Sequence, residues 1–295
     1  MKRTFLAVTC AALFGVALGG PAFGQAQPPI EVRKVEGTDN VYIFRNMGAQ
    51  SIFIVTNDGV IATDPVAYGK PNGGQQYVDE IKKITNKPIK YLIYSHHHYD
   101  HIMGGKAFKA AGAQIVGHTN VKTRLAPLAD PNTPLPDILI GDQGRSFTLG
   151  GTKIELHYVG RNHSDSMLVM LLPKEKLVFV VDLLPVGRMP ARGMIDFYPL
   201  EAEASIKKIL ALNWDRLIPG HPDSGGRLGT KEDARNILAL YQDASAEMKK
   251  LGQDGKCWDT AEKEFKLPKY EKLQGYEAGL PFIARRYCGL WGRGT

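Results

Sequence analysis

The chain has 295 residues, 43% hydrophobic and 23% charged, with a formal net charge of +7. That balance belongs to a folded globular enzyme and excludes a disordered or low-complexity chain. The mild basic excess reads as a solvated surface with a lean toward anionic ligands, without the concentrated basic patch of a nucleic-acid binder.

Lys2 and Arg3 precede an apolar run from Thr4 to Leu18, followed by small residues ending in Ala22-Phe23-Gly24. Basic, apolar, then small is the order of a cleavable secretory signal, and the run falls short of the roughly 20 residues of a membrane span. Residues 1–24 are therefore expected to be removed, leaving 25–295 as one catalytic domain with a helical C-terminal segment, periplasmic or secreted. An uncleaved anchor helix is the alternative. No later stretch is apolar enough to span a bilayer, so no stable membrane association is expected after cleavage. Cys257 and Cys288 then remain, and in an oxidising compartment they are expected to pair.

Further along, Val41–Phe44 and Ser51–Val55 are β-branched and aromatic runs, and the turn Asn57-Asp58-Gly59 makes Ile52–Thr63 a hairpin. Gln75–Ile84 has helical spacing and stops before Pro88. Ile89–Tyr94 suits a buried strand, and Gly105–Ala111 a helix. In the second half Ile154–Val159, Met167–Leu172 and Leu177–Val181 read as strands, Glu201–Leu212 as a helix and Arg216–Ile218 as a strand. Ile237, Tyr241, Ala244, Met248 and Leu251 mark a long amphipathic helix. Ala126–Ile140 and Pro185–Pro199 are expected to be loops. Strands early and helices late in each half give an α/β architecture, an αββα sandwich of two mixed sheets packed face to face with helices outside.

The strongest chemical signal is His96-x-His98-x-Asp100-His101, which opens directly from the strand ending at Tyr94. Two histidines two apart on extended backbone point the same way and reach one ion, while Asp100 and His101 follow where the chain turns into a helix and can face a second. Imidazole and carboxylate without thiolate suit zinc, with iron or manganese as alternatives. His163, Asp182 and His221 each follow a predicted strand, where a buried unpaired Asp or His would be costly and metal ligation satisfies it. A histidine-rich surface loop is the bland alternative for the first motif. His97, His118 and His157 lack matching motifs and are read as hydrogen-bonding residues.

H-x-H-x-D-H, an isolated His, an Asp after a strand and Pro219-Gly220-His221, in that order, resemble the metallo-β-lactamase superfamily over roughly Val41 to His221. The resemblance implies that His96, His98 and His163 hold a first metal, that Asp100, His101 and His221 hold a second, and that Asp182 bridges them. It implies that Asp64 lies behind the ligands and orients them. It further implies hydrolysis by a hydroxide held between two zinc ions, with Asp100 as the catalytic residue that orients the nucleophile and shuttles its proton. No organic cofactor is called for, since the chain shows neither a G-x-S-x-G elbow nor a G-x-G-x-x-G fingerprint.

The expected partner is a small-molecule substrate, a cyclic amide or ester with a β-lactam first and a lactone close behind. Two departures from the β-lactamase pattern bear on that order. Asp182 stands where some β-lactamases carry a metal-binding cysteine, and Pro185 where those enzymes have a carboxylate-binding lysine. A bridging aspartate is typical of relatives that hydrolyse lactones, thioesters or phosphodiesters. Arg188, Met189, Arg192 and Met194 lie on the loop after Asp182 and are candidates to receive an anionic, partly apolar substrate. Tyr68 and Trp214 read as packing residues. The rival readings are a mono-iron oxygenase using His96, His163 and Asp182, and a metal-binding protein without turnover.

Overall fold

The computed structural model describes residues 30–295, so the expected signal segment lies outside the described residues. Its first sheet is built from neighbours in sequence. β1 (Glu31–Lys34), β2 (Val41–Asn46), β3 (Ala49–Val55) and β4 (Val60–Thr63) pair antiparallel in that order. The expected Asn57-Asp58-Gly59 turn joins the last two, setting Val55 opposite Val60. From there the pairing becomes parallel, which requires crossovers. α1 (Gly73–Ile84) leads to β5 (Ile89–Ile93). The short α2 (Tyr99–Ile102) and α3 (Gly105–Ala110) lead to β6 (Gln114–His118). α4 (Thr119–Leu125) and a single 3₁₀ turn lead to β7 (Ile138–Ile140). The stretch expected as a loop, Ala126–Ile140, thus ends in the seventh strand of this sheet.

A second sheet of five strands follows. β8 (Arg145–Leu149), β9 (Thr152–Tyr158), β10 (Leu168–Leu172) and β11 (Leu177–Val180) are antiparallel neighbours. α5 (Pro199–Ala211) crosses to β12 (Arg216–Pro219), which pairs parallel with β11. α6 (Lys231–Gln253), α7 (Asp259–Glu264) and α8 (Tyr276–Arg293) complete the chain. α6 begins where the sequence supplies a capping box, with the Thr230 side chain accepting from Asp233 N–H and the Asp233 carboxylate accepting from Thr230 N–H.

The sandwich is visible in β10, whose five residues are all buried. Leu168, Met170 and Leu172 point into the seam between the sheets, meeting Ile43, Ile52 and Ile93 of the first sheet. Val169 and Leu171 point outward, under Ile206, Leu240 and Ile283 of α5, α6 and α8. On the far side Phe44, Phe53 and Leu92 pack against Tyr77 and Ile81 of α1 and Phe108 of α3. Four layers result, helix, sheet, sheet, helix, as the alternating pattern implies.

The expected Cys257–Cys288 bond is not formed; both residues are free thiols. Cys288 is buried on α8 and accepts from Trp258 N–H at 3.2 Å. Burial and a hydrogen bond with Cys257 push its thiol up to about 12. A thiol so rarely ionised packs as a small apolar group.

Candidate metal centre

Parallel pairing brings the chemistry to one edge of the sandwich. β4 and β5 run the same way, so Asp64 and His96, each just past a strand end, emerge side by side. β11 and β12 also run together, which places Asp182 beside Pro219-Gly220-His221. β9 shares their direction through the antiparallel β10, and His163 lies beyond its end. After β5 the chain bends at Ser95–His97, where sequence alone suggests extended backbone, and His98 stands at the N-cap position of α2, which turns Asp100 and His101 to the same edge. Asp182 itself has φ 60°, a left-handed conformation that Asp tolerates better than branched residues.

Two sets of four side chains result, His96, His98, His163 and Asp182 in one, Asp100, His101, Asp182 and His221 in the other. Asp182 belongs to both. Its Oδ2 lies 3.0 Å from His101 Nε2, 3.3 Å from His163 Nε2 and 3.7 Å from His96 Nε2, and its Oδ1 lies 3.3 Å from His221 Nε2. His98 Nδ1 and His163 Nε2 are 2.9 Å apart, and His101 Nε2 and His221 Nε2 3.1 Å apart. Four nitrogen and oxygen ligands at tetrahedral zinc distances would stand about 3.3 Å from one another.

The outer atoms of the rings fix which nitrogen faces inward. Ser95 Oγ hydrogen-bonds His96 Nδ1 at 2.9 Å, and the Gly48 carbonyl accepts from His221 Nδ1 at 2.7 Å. His98 presents Nδ1 instead, because its Nε2 is engaged 2.7 Å from Asp196 Oδ2. Behind His101, Asp64 Oδ2 lies 3.7 Å from Nδ1, while Asp64 Oδ1 accepts from Ser95 N–H at 2.8 Å. The three hydrogen-bonded groups, Ser95, Gly48 and Asp196, orient their rings, whereas Asp64 stands behind His101 without a hydrogen bond to it.

These atoms fit a metal pair on electrostatic grounds. His96 Nε2 and Asp182 Oδ1 are buried and have no hydrogen-bond partner, an arrangement that costs stability unless a cation accepts their lone pairs. Burial and the nearby His98, His101 and His163 hold His96 well below the ordinary imidazole range. Burial lowers His163 to about 4. Both are therefore neutral at pH 7 and offer lone pairs. Burial would also lower His101, but the charge and hydrogen bond of Asp182, with Asp100 and Asp64, lift it to about 9. Burial opposes ionisation of Asp182 too, yet His101, His221 and His163 keep it well below the carboxylate range. Burial raises Asp64 to about 6.

All seven predicted ligands thus converge, with Asp64 behind them. His97 joins neither set and hydrogen-bonds Ser166 Oγ at 2.7 Å, though it lies near His98 and Asp196. His118 caps α4 and stacks on Tyr158, and His157 pairs with Glu155. A cavity of about 950 Å³ opens over the cluster. Of the loop residues expected to meet substrate, Arg192 is exposed on its wall, and Arg188 is half-buried with a guanidinium N–H donated to Pro222 O at 3.1 Å. Met189 and Met194 line the cavity but are each only 2% exposed, held in the outer core. Trp214 is buried as expected, whereas Tyr68 stands at the cavity, 58% exposed.

Asp196 was not anticipated. It sits in irregular backbone where no motif points to it, and the one available signal was that an inward-facing His98 needs a carboxylate behind its other nitrogen. Replacing it with alanine is expected to weaken metal affinity by about 10- to 100-fold, measured by competition with a chromophoric chelator. Unchanged affinity would show that His98 is positioned without it.

A family model described as the metallo-beta-lactamase superfamily matches residues 46–221, the span that contains all seven candidate ligands. The chain belongs to that superfamily. Among curated proteins, this metallo-β-lactamase-fold chain is 28% identical over 168 residues to the metallo-beta-lactamase type 2 of Elizabethkingia meningoseptica, covering 53% of this chain and 63% of that protein. It is 26% identical over 215 residues to the 2,4-dinitroanisole O-demethylase subunit alpha of Nocardioides sp., covering 70% and 62%. The matches therefore span a little under two thirds of those relatives' lengths. Among solved structures, the metallo-beta-lactamase from Pontibacter korlensis superposes with a TM-score of 0.64 at 20% identity, covering 72% of this chain and 99% of that one. A stereoselective inverting sec-alkylsulfatase from Pseudomonas sp. superposes with a TM-score of 0.71 at 16% identity, covering 88% and 50%. Both share the fold.

Proposed function

We propose that the protein is a metal-dependent hydrolase acting on a small-molecule ester or amide, with zinc the expected metal in both positions. The observation that carries this reading is the pair of four-residue clusters joined through Asp182. When bound, such ions supply Lewis acidity and lower the pKa of a water toward neutrality. The chain's own residues do the rest. Asp182, ionised and largely shielded from solvent, balances charge between the two sets. Asp100, with Oδ2 3.3 Å from His221 Nε2, is placed to orient the attacking water and carry its proton. Ser95, Gly48 and Asp196 hold three of the rings by hydrogen bonds, so little reorganisation accompanies the reaction. The cavity is sized for a small molecule.

Among substrates the cyclic amides and esters stand first, a β-lactam ahead of a lactone, supported by the similarity to metallo-beta-lactamases. A sulfate ester is a second reading, since a relative covering 71% of the chain is named a linear primary-alkylsulfatase. A mono-iron oxygenase would leave Asp100, His101 and His221 without a purpose. A panel of β-lactams, lactones, thioesters, phosphodiesters and alkyl sulfates, each assayed with and without chelator, tests the proposal. Chelator-sensitive hydrolysis of one class is the expected result. No hydrolysis of any class would refute it, and one iron per chain with oxygen consumption would replace it. The order of residues over 2–24 supports export of the mature chain. Among the described residues no helix is long and apolar enough to cross a membrane.

A further inference from the structure

The loop after Asp182 touches two rings of the first set. A 3₁₀ turn at Arg192–Met194 carries Gly193, whose backbone lies against the edge of His163. A Cβ there would fall 2.5 Å from His163 Cε1 and 3.1 Å from its Nδ1, so only glycine lets the turn lie this close. Further on, Asp196 Oδ2 stands 2.7 Å from His98 Nε2. Tyr198 N–H donates to Asn162 O at 2.8 Å, fastening the end of the loop beside His163. The second set is backed from elsewhere, by the Gly48 carbonyl at His221 and by Asp64 behind His101. Among the described residues no hydrogen bond joins 190–197 to Asp100, His101 or His221.

On its outer side the same loop is held by the C-terminal segment. Met189 N–H donates to Gln274 O at 2.9 Å, and Gln274 N–H to Gly187 O at 3.0 Å. A Cβ at Gly279 of α8 would fall 2.7 Å from Pro190 O and 2.9 Å from Met189 Cβ, so helix and loop are in direct contact. Further along the helix, Arg286 Nε donates to Phe197 O. Gly279 and Arg286 thus grip the two ends of the stretch that carries Gly193 and Asp196. Both lie beyond 46–221, the span matched to the superfamily.

Close-packed elements pass a displacement on to whatever they touch. We infer that α8 is a positioning element for one of the two metals. Gly279 and Arg286, acting through the loop, set how tightly His98 and His163 hold an ion and leave the second set alone. The effect on affinity rests on the metal-centre reading, but the coupling itself can be read without any ion.

Two backgrounds separate the sets. His221→Ala leaves only the first set complete, and His163→Ala only the second. Zinc affinity is measured in each by competition with a chromophoric chelator, with and without Arg286→Gln. In the His221→Ala background Arg286→Gln should weaken zinc about tenfold, the lower end of what lost support behind a ligand costs. In the His163→Ala background it should change nothing. Gly279→Ala should reproduce both results, with circular dichroism reporting its fold. Arg285→Gln, whose guanidinium pairs with Glu262 and not with the loop, should be silent in both. In zinc-free protein Arg286→Gln should shift the imidazole NMR signals of His98 and His163 and not those of His101 and His221. Unshifted His98 and His163 signals would overturn the inference. Equal weakening in the two backgrounds would also overturn it, making α8 a general scaffold. Shifted signals with no zinc bound in either background would uphold the coupling and count against the metal centre.

Discussion

Asp182→Asn is expected to cut chelator-sensitive hydrolysis about a thousandfold while leaving the fold in place. The amide matches the carboxylate in shape but removes the charge that serves both clusters. Loss of several kcal/mol of transition-state stabilisation is reasonable for such a change, and each 1.4 kcal/mol is about tenfold in rate. Elemental analysis should show fewer than two ions per chain. The metal-free variant offers an independent check. Asp182 is the main group lifting His101 to about 9. Without that negative charge the imidazolium is less favoured, so the His101 pKa should fall, as followed by histidine NMR. Full metal content with unchanged turnover would remove Asp182 from the centre.

Asp100→Asn should lower kcat about 100-fold or more, with little effect on stability. The Asp100 side chain is 46% exposed and sits beside His101 and His221, 3.5 Å and 3.3 Å from their Nε2 atoms. Although burial works against its ionisation, the hydrogen bond with His221 and the charge of His101 hold its pKa below the ordinary carboxylate value. It is therefore negative at neutral pH and able to accept from a water or leaving group. Steady-state kinetics with the best panel substrate, alongside thermal melts, separates lost chemistry from lost fold. Wild-type kcat in the variant would assign the proton to another group.

The sequence made the cluster legible because its candidate ligands follow soon after strong β runs. A strand end tells where a side chain emerges, and parallel pairing does the gathering. The β3–β4 hairpin and α6 were equally clear, one from Asn-Asp-Gly and one from apolar spacing. Weakly buried or short elements were not. β7 has three residues close after prolines, and β8 alternates but buries little, with Arg145, Ser146 and Thr148 exposed. Neither yields a clear hydrophobic period. The place of Asp196 depends on how an irregular loop lies over the cavity. Local sequence carries no such information. Arg188 and the two methionines lie on the loop over the cavity, but which face of that loop reaches water is decided by packing against the outer core.

Each cluster draws two side chains from the half of the chain before β8 and two from the half after it. Any ion seated there is consequently a rivet through the seam of the sandwich as well as a reagent. One rivet already fastens both halves. A singly loaded protein should thus forfeit turnover well before it forfeits architecture.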